Sequence, residues 1–335
     1  MKKNNHKIAG SLCIACALAL CACGAPAPTP EDPAEDLVVV GFSQTGAESD
    51  WRVANSESVK ANLTEENGYE LLFSDAQQRQ ENQIRTIRRF IQQQVDYIVF
   101  SPLTETGWDA VLQETREAGI PVIVTDRQIV VEDASLYTAY IGSDFRAESD
   151  AAMRWLAQKL EIQGRDQDPI TLVELQGTPG STPQLGRTAG LEAAVARHPN
   201  WTLTGQYDAE FTAAKAKEVA AQVVREAGAP TVFVCQNDNM ALGVIDTLNA
   251  AGIPCGTGPS EVIIISFDAT NAGLTACLAG DIAYDAECNP IQGPYLRELL
   301  DTLEQGATPP KYTYVEESAF TTDTLTQNII DARAY

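Results

Sequence analysis

The run Ile120-Pro121-Val122-Ile123-Val124-Thr125-Asp126-Arg127-Gln128 sets a carboxylate beside a guanidinium directly behind a β-branched stretch. The carboxylate only accepts hydrogen bonds, and the guanidinium donates them in a rigid fork. Adjacent, they can grip a polar ligand from both sides of its hydrogen-bonding chemistry. An isolated Asp-Arg pair reads more readily as a solvated loop. Here the layout recurs: Phe42-Ser43-Gln44 closes the run from Leu37, Gln236-Asn237-Asp238 follows Thr231–Val234, and Asp268 follows Val262–Ile265. Four apolar runs ending in hydrogen-bonding groups point to one shared polar cleft, because open α/β sheets bind ligands beyond the carboxyl ends of their strands.

Further candidates stand in the loops around these ends. Trp51-Arg52 opens the first helical segment, with Glu48 in the same loop. A Trp face covers the C–H face of a sugar ring, and an Arg forks onto hydroxyls and ring oxygens. Arg187 lies on or near a later helix, and Phe211 follows the acidic turn Asp208–Glu210. Taken singly, these would be a core Trp, a surface Arg and a core Phe.

Enzyme signatures fail. There is no Gly-x-Ser-x-Gly elbow and no phosphate-binding loop. Gly256-Thr257-Gly258 lacks the third glycine of a dinucleotide fingerprint and follows a helix rather than a strand. The histidines are His6 and His198, too few for a histidine triad or a histidine metal centre. A carboxylate pair could be drawn from Asp126, Asp268 or Glu287, but nothing favours hydrolysis over binding. No catalytic residue, cofactor or metal is expected.

The elements that must position these groups alternate. Strand-like and helical segments succeed one another from Leu37 to Ile141, and a second series of the same kind begins near Gly142–Ser143. Strands alternating with helices of 10–15 residues imply a parallel sheet covered on both faces. The expected fold class is α/β: two similar doubly wound parallel-sheet lobes. After a strand at Asp281–Glu287, Asn289 and Pro290 read as N-cap and first residue of a helix to about Gln305. Lys311–Val315 reads as a late strand and Thr322–Ala334 as a terminal helix.

The chain has 335 residues and a net charge of −23, with no basic stripe, so no nucleic-acid partner is expected. Residues 1–22 carry Lys2, Lys3 and Lys7 before the apolar stretch from Ile8, too short to span a bilayer, which is the layout of a signal peptide. Residues 25–36 are rich in proline and acids and read as an extended tether. Behind the signal the chain keeps Cys235, Cys255, Cys277 and Cys288, either as buried thiols or as one or two disulfides.

Phe42-Ser43-Gln44-x-Gly46-x-Glu48-Ser49-x-Trp51-Arg52 resembles the first loop of the galactofuranose-binding branch of the periplasmic sugar-binding proteins of ribose/galactose type. Glu81-Asn82-Gln83-Ile84 and Thr106-Gly107-Trp108 also fit that branch. Asp126-Arg127, Glu174-Leu175-Gln176-Gly177 and Gln236-Asn237-Asp238 fit the wider family, and the likeness runs from about Leu37 to the C-terminus. It implies the type I periplasmic binding protein fold with a three-segment hinge. It divides the chain into a first lobe of 37–142 plus 288–320 and a second of 143–287 plus 321–335. The implied ligand contacts are Trp51, Asp126, Arg127, Arg187, Phe211, Asn237 and Asp268, with Glu48 and Arg52 from the branch's loop and Glu287 in the last crossover. Two departures stand out: Ala269 replaces the family's usual Gly, and Cys288 occupies the hinge. The calcium loop of the glucose/galactose binders is absent.

The resemblance further implies a monomeric extracytoplasmic receptor that captures a monosaccharide, in furanose form (galactofuranose or a pentose), and delivers it to the permease subunits of an ABC importer. Signalling to a membrane kinase or chemoreceptor is the alternative. Leu20-Cys21-Ala22-Cys23-Gly24 resembles a bacterial lipobox. That likeness implies lipidation of Cys23 and a membrane anchor in front of the tether formed by residues 23–36. A DNA-binding repressor of the same core would carry a helix-turn-helix where the signal and acidic tether stand.

Overall fold

The computed structural model describes residues 37–335; the expected signal peptide, lipidated Cys23 and tether lie outside the described residues. The first series is β1 (Val38–Gln44), α1 (Asp50–Asn62), β2 (Tyr69–Asp75), α2 (Gln80–Gln93), β3 (Tyr97–Phe100), α3 (Asp109–Ala118), β4 (Val122–Asp126) and β5 (Ala139–Gly142). The second is α4 (Phe145–Ile162), β6 (Ile170–Gln176), α5 (Thr182–Arg197), β7 (Trp201–Asp208), α6 (Ala213–Ala227), β8 (Val232–Cys235), α7 (Asp238–Ala250), β9 (Ile263–Asp268), α8 (Asn271–Ala279) and β10 (Tyr284–Glu287). The chain then returns through α9 (Gly293–Glu304), β11 (Tyr312–Tyr314), β12 (Ala319–Phe320) and α10 (Gln327–Asp331).

Two six-stranded sheets result, in the orders β11-β5-β4-β3-β1-β2 and β12-β10-β9-β8-β6-β7. Every pairing is parallel except β10 with β12. Period-two alternation supplies two cores per sheet. In the first, Val40, Phe42, Val99 and Ile123 face α1 and α9, while Ile98, Phe100, Val122 and Val124 pack with Phe90, Trp108 and Leu112 on the other side. The second sheet divides likewise, Leu172, Val234 and Ile263 on one face and Val173, Phe233 and Ile264 on the other. Strands buried on both faces explain the unbroken apolar runs of the sequence.

In each sheet the chain order reverses beside the first strand, β1 lying between β2 and β3 and β6 between β7 and β8. Such a reversal opens a crevice at the carboxyl ends of the strands. Three helices begin there with side-chain caps: Ser49 Oγ accepts from Arg52 N, Asn237 Oδ1 from Met240 N, and Thr270 Oγ1 from Gly273 N.

Three segments cross between the lobes: Gly142 to Phe145, Glu287 to Gly293, and Tyr314 to Ala319. The last corrects the sequence division that gave 288–320 to the first lobe. Ala319 and Phe320 pair with Ala286 and Asp285, so they complete the second sheet. Helix α9 begins later than expected, because Asn289 Oδ1 accepts from Ile291 N and its Nδ2 donates to Glu316 O, building a hinge turn instead of a cap. The terminal helix is reduced to Gln327–Asp331; Thr321 N donates to Thr324 Oγ1, a local bond that competes with helix. Cys235, Cys255, Cys277 and Cys288 are all free thiols. Among the described residues no helix is long and apolar enough to cross a membrane.

Helix α9 sits tightly on α1. Gly293 N donates to Ser58 Oγ at 3.0 Å, and a Cβ at Gly293 would overlap the Ser58 carbonyl oxygen. Gly293→Ala should therefore destabilise the protein by about 1–3 kcal/mol through overpacking. Urea unfolding monitored by circular dichroism checks this, with the midpoint moving to lower denaturant.

Candidate ligand site

Glu48, Ser49, Trp51, Arg52, Asp126 and Arg127 from the first lobe meet Pro183, Arg187, Phe211, Asn237 and Asp268 from the second around one cavity. It encloses about 290 Å³ of space free of atoms, including its opening.

The first-lobe wall is a charge network fixed by burial. Arg52 Nη1 lies 2.7 Å from Asp126 Oδ2 and also donates to Gln44 Oε1 and Ser101 Oγ; its Nε donates to Glu48. Ser101 Oγ donates to the same Asp126 oxygen at 2.9 Å. Burial works against the Arg52 charge, but Asp126 and Glu48 outweigh it and hold the guanidinium above its usual range. Arg127 stands differently. Burial and the neighbouring Arg52 charge pull it down to about 10, and it stays cationic at neutral pH. Its Nη1 donates to Leu103 O at 3.0 Å, while its buried Nε, 3.8 Å from Asp126 Oδ2, has no hydrogen-bond partner among the described residues.

The second-lobe wall mirrors this. Arg187 Nε donates to Glu148 at 2.8 Å and its Nη1 to the Gln236 carbonyl at 2.6 Å, leaving Nη2 buried without a partner among the described residues. The guanidinium lies over Phe267 and Phe145, at 4.7 and 5.3 Å from the ring centroids. Burial raises Asp268 well above the usual carboxylate range, against the pull of Arg187. Asn237 is spent partly on capping α7 and donates from Nδ2 to Phe211 O at 3.2 Å. A Cβ at Gly177 would fall inside the Phe211 ring, so that glycine is what lets the ring lie over the end of β6.

The walls touch. Glu105 N donates to Gly180 O and Gln128 N to Thr182 Oγ1, both at 3.0 Å; Asp50 and Asn239 bond reciprocally at 3.2 Å; Arg127 lies over the Phe211 ring at 5.6 Å. The structure is of a closed arrangement. Asp126, Phe211 and Asp268 all have positive φ, at 61°, 61° and 114°. Backbone strain of this kind persists where surrounding bonds over-determine it, and it clusters at functional sites.

Nine sequence candidates thus line one cavity. Glu287 does not. Its carboxylate accepts from Ser318 N at 2.9 Å and from Tyr335 Oη at 2.9 Å, and is ion-paired with Arg333. It fastens Arg333 and Tyr335 to the end of β10. Sequence reasoning missed Ser49 and Pro183; both occupy helix starts, and the cap pattern at Ser49 was the available signal. It also missed Glu148, the Arg187 partner, 39 residues distant in the chain.

Two doubly wound lobes, three crossings and a small polar cavity between the strand ends define a solute-binding protein. Residues 40–306 match the model of the periplasmic binding protein domain, and the chain belongs to that family. It is a solute-binding protein and not an enzyme. It is 33% identical over 296 residues to the galactofuranose-binding protein YtfQ of Escherichia coli K12, covering 87% of this chain and 90% of that one. A Mycobacterium smegmatis structure in complex with β-D-fucofuranose is 39% identical with a TM-score of 0.80, over 85% of this chain and 92% of that one. The periplasmic binding component of the arabinose ABC transporter of Shewanella sp. ANA-3, bound to α- and β-L-arabinofuranose, is 37% identical with a TM-score of 0.78 over the same shares.

Behind the cavity the three crossings meet. Glu148, Cys288 and Glu317 bring their polar atoms within 4.8 Å of one another. Glu317 accepts from Ser143 Oγ and from Asn289 N, and Trp51 Nε1 donates to Cys288 O at 2.5 Å. Burial, then the nearby Glu148 charge, raises Glu317 from 4.5 to about 8. An acid raised in the folded state binds its proton more tightly folded than unfolded, so stability falls as pH rises from about 4.5 through about 8. Glu317→Gln keeps the acceptor for Ser143 and Asn289 but cannot ionise. Thermal unfolding should show the wild type losing a few degrees more than the variant between pH 6 and pH 9.

Proposed function

We propose that this protein is an extracytoplasmic receptor that encloses a monosaccharide in furanose form, galactofuranose or a pentofuranose, and hands it to the permease subunits of an ABC importer. The observation that carries the reading is the pair of buried guanidinium donors left unpartnered on cavity-lining residues of opposite lobes, Arg127 Nε and Arg187 Nη2. A buried donor without an acceptor is costly. A ring oxygen or hydroxyl inserted between the lobes would satisfy both donors at once and link ligand capture to closure. Trp51, held by its bond to Cys288 O, would cover an apolar C–H face. Asp126, Asp268 and Glu48 would accept from hydroxyls. The furanose assignment is supported by relatives whose own ligands are furanoses, each more than 30% identical over most of this chain.

Calorimetry with L-arabinose, D-galactose, D-ribose and D-glucose tests this. The first three should bind and glucose, almost wholly pyranose in water, should be weaker by at least tenfold. Equal affinity for glucose would remove the furanose assignment while leaving a sugar receptor. Arg127→Ala should cost about 1.5–3 kcal/mol for each charge-assisted bond lost, tenfold or more in affinity; Trp51→Ala should weaken all the sugars together.

The reading includes attachment to the membrane through a lipid on Cys23, motivated by the lipobox-like Leu20–Gly24 and the proline-rich segment behind it. Cys23→Ser should shift the protein from the membrane fraction to the soluble fraction on cell fractionation. A variant that stays with the membrane would contradict the anchor.

A further inference from the structure

Beneath Asp268 lies a feature that the cavity itself does not use. Asp268 and Ala269 are consecutive non-glycine residues at positive φ, 114° and 55°. L side chains resist that conformation, so something must hold the turn. Two buried carboxyls do. Asp285 Oδ1 accepts from Ala269 N at 3.1 Å; Asp238 Oδ2 accepts from Thr270 N and Thr270 Oγ1, both at 2.7 Å, and its Oδ1 from Ser266 Oγ at 2.6 Å. Gly273 on α8 leaves the space that the Asp238 carboxylate fills.

Asp285 is fully buried and Asp238 1% exposed, and the two carboxyls hold the consecutive amides of one turn, Ala269 N and Thr270 N. Two carboxylates buried this close repel each other, and neither can donate to the other while ionised. Among the described residues, Asp285 Oδ2 has no hydrogen-bond partner. An oxygen in that position is satisfied if it carries a proton and donates. The ionisable groups facing the pair are Asp268 above it, Cys277 on α8 and Cys235 at the end of β8, all of them acids. Arg187 acts on Asp268. Burial raises both carboxyls of the pair above the usual range.

We propose that Asp285 and Asp238 share a single proton, carried on Asp285 Oδ2 and donated to Asp238, and that this bond positions Asp268 in the cavity. The proposal rests on the reading of Asp268 as a ligand-contacting residue. Asp285 is a positioning residue: it touches no ligand and acts through the Ala269 amide. Loss of the proton puts two anions side by side under a third and releases the turn. Binding should therefore weaken as pH rises, and the protein should lose stability in the same direction, since a raised acid binds its proton more tightly folded than unfolded.

Asp285→Asn and Asp285→Ala separate the ideas. The asparagine mimics the protonated acid, its Oδ1 accepting from Ala269 N and its Nδ2 donating to Asp238, whereas alanine does neither. L-arabinose affinity by calorimetry should be within about threefold of wild type for Asp285→Asn and at least tenfold weaker for Asp285→Ala. Thermal unfolding without sugar, from pH 6 to 10, should fall less steeply for Asp285→Asn than for wild type. Crystal structures of the sugar-free variants should keep positive φ at Ala269 in the asparagine variant and lose it in the alanine one. Equal damage by both substitutions, or an unchanged pH slope in Asp285→Asn, overturns the shared proton. A retained turn in Asp285→Ala overturns the positioning role. If the wild type fails to bind L-arabinose, the sugar reading is at fault, and the unfolding profiles and crystal structures still decide the proton and the turn.

Discussion

Charge buried in the company of opposite charge is the constraint on which the rest of this structure depends. Three guanidiniums, on Arg52, Arg127 and Arg187, are taken almost wholly out of water between the lobes. Removing an ion from water costs several kcal/mol unless pairing and hydrogen bonds repay it. Arg52 is repaid in full by Asp126, Glu48, Gln44 and Ser101. Arg127 and Arg187 are repaid only in part, each with one buried N–H left over. The strand ends, the capped helix starts and the left-handed turns at Asp126, Phe211 and Asp268 all serve to bring acceptors to those cations. A site built on fixed donors and acceptors selects by hydroxyl pattern more than by volume, because a missing partner costs more than a loosely filled corner.

The hinge follows the same rule with the sign reversed. There the excess is acidic: Glu148 and Glu317 approach each other beside Cys288, and Arg187 reaches in as a cation. Arg187 thus belongs to two environments, lining the cavity with its free edge and neutralising the hinge with the other. Ligand and hinge are joined through one side chain, and any shift of Arg187 toward a ligand alters how well Glu148 is compensated.

The alternation of strands and helices was legible because strands buried on both faces have no polar positions to blur the pattern, as in Ile98 to Phe100 and Ile263 to Ile265. Sites at strand ends were legible for the same reason: Asp126, Asn237 and Asp268 interrupt apolar runs abruptly. The ends of the chain were less so. Thr321 and Thr324 bond locally and shorten the last helix, and Glu287 looks from sequence like one more strand-end acceptor. Which way its side chain faces is decided by the docking of Arg333 and Tyr335, more than forty residues away. Glu148 and Asp285 escaped notice because their roles exist only through partners distant in the chain.

The short strands β11 and β12 are separated by four residues, yet each is the edge of a different sheet. Neither sheet is complete until residues 312–320 have been made, although every other strand precedes them by at least twenty-four residues. A ribosome must therefore have passed residue 320 before both halves can seal their open sides. The two lobes become whole nearly together, within nine residues of chain, and a chain cut short before Tyr312 leaves both of them exposed along one flank.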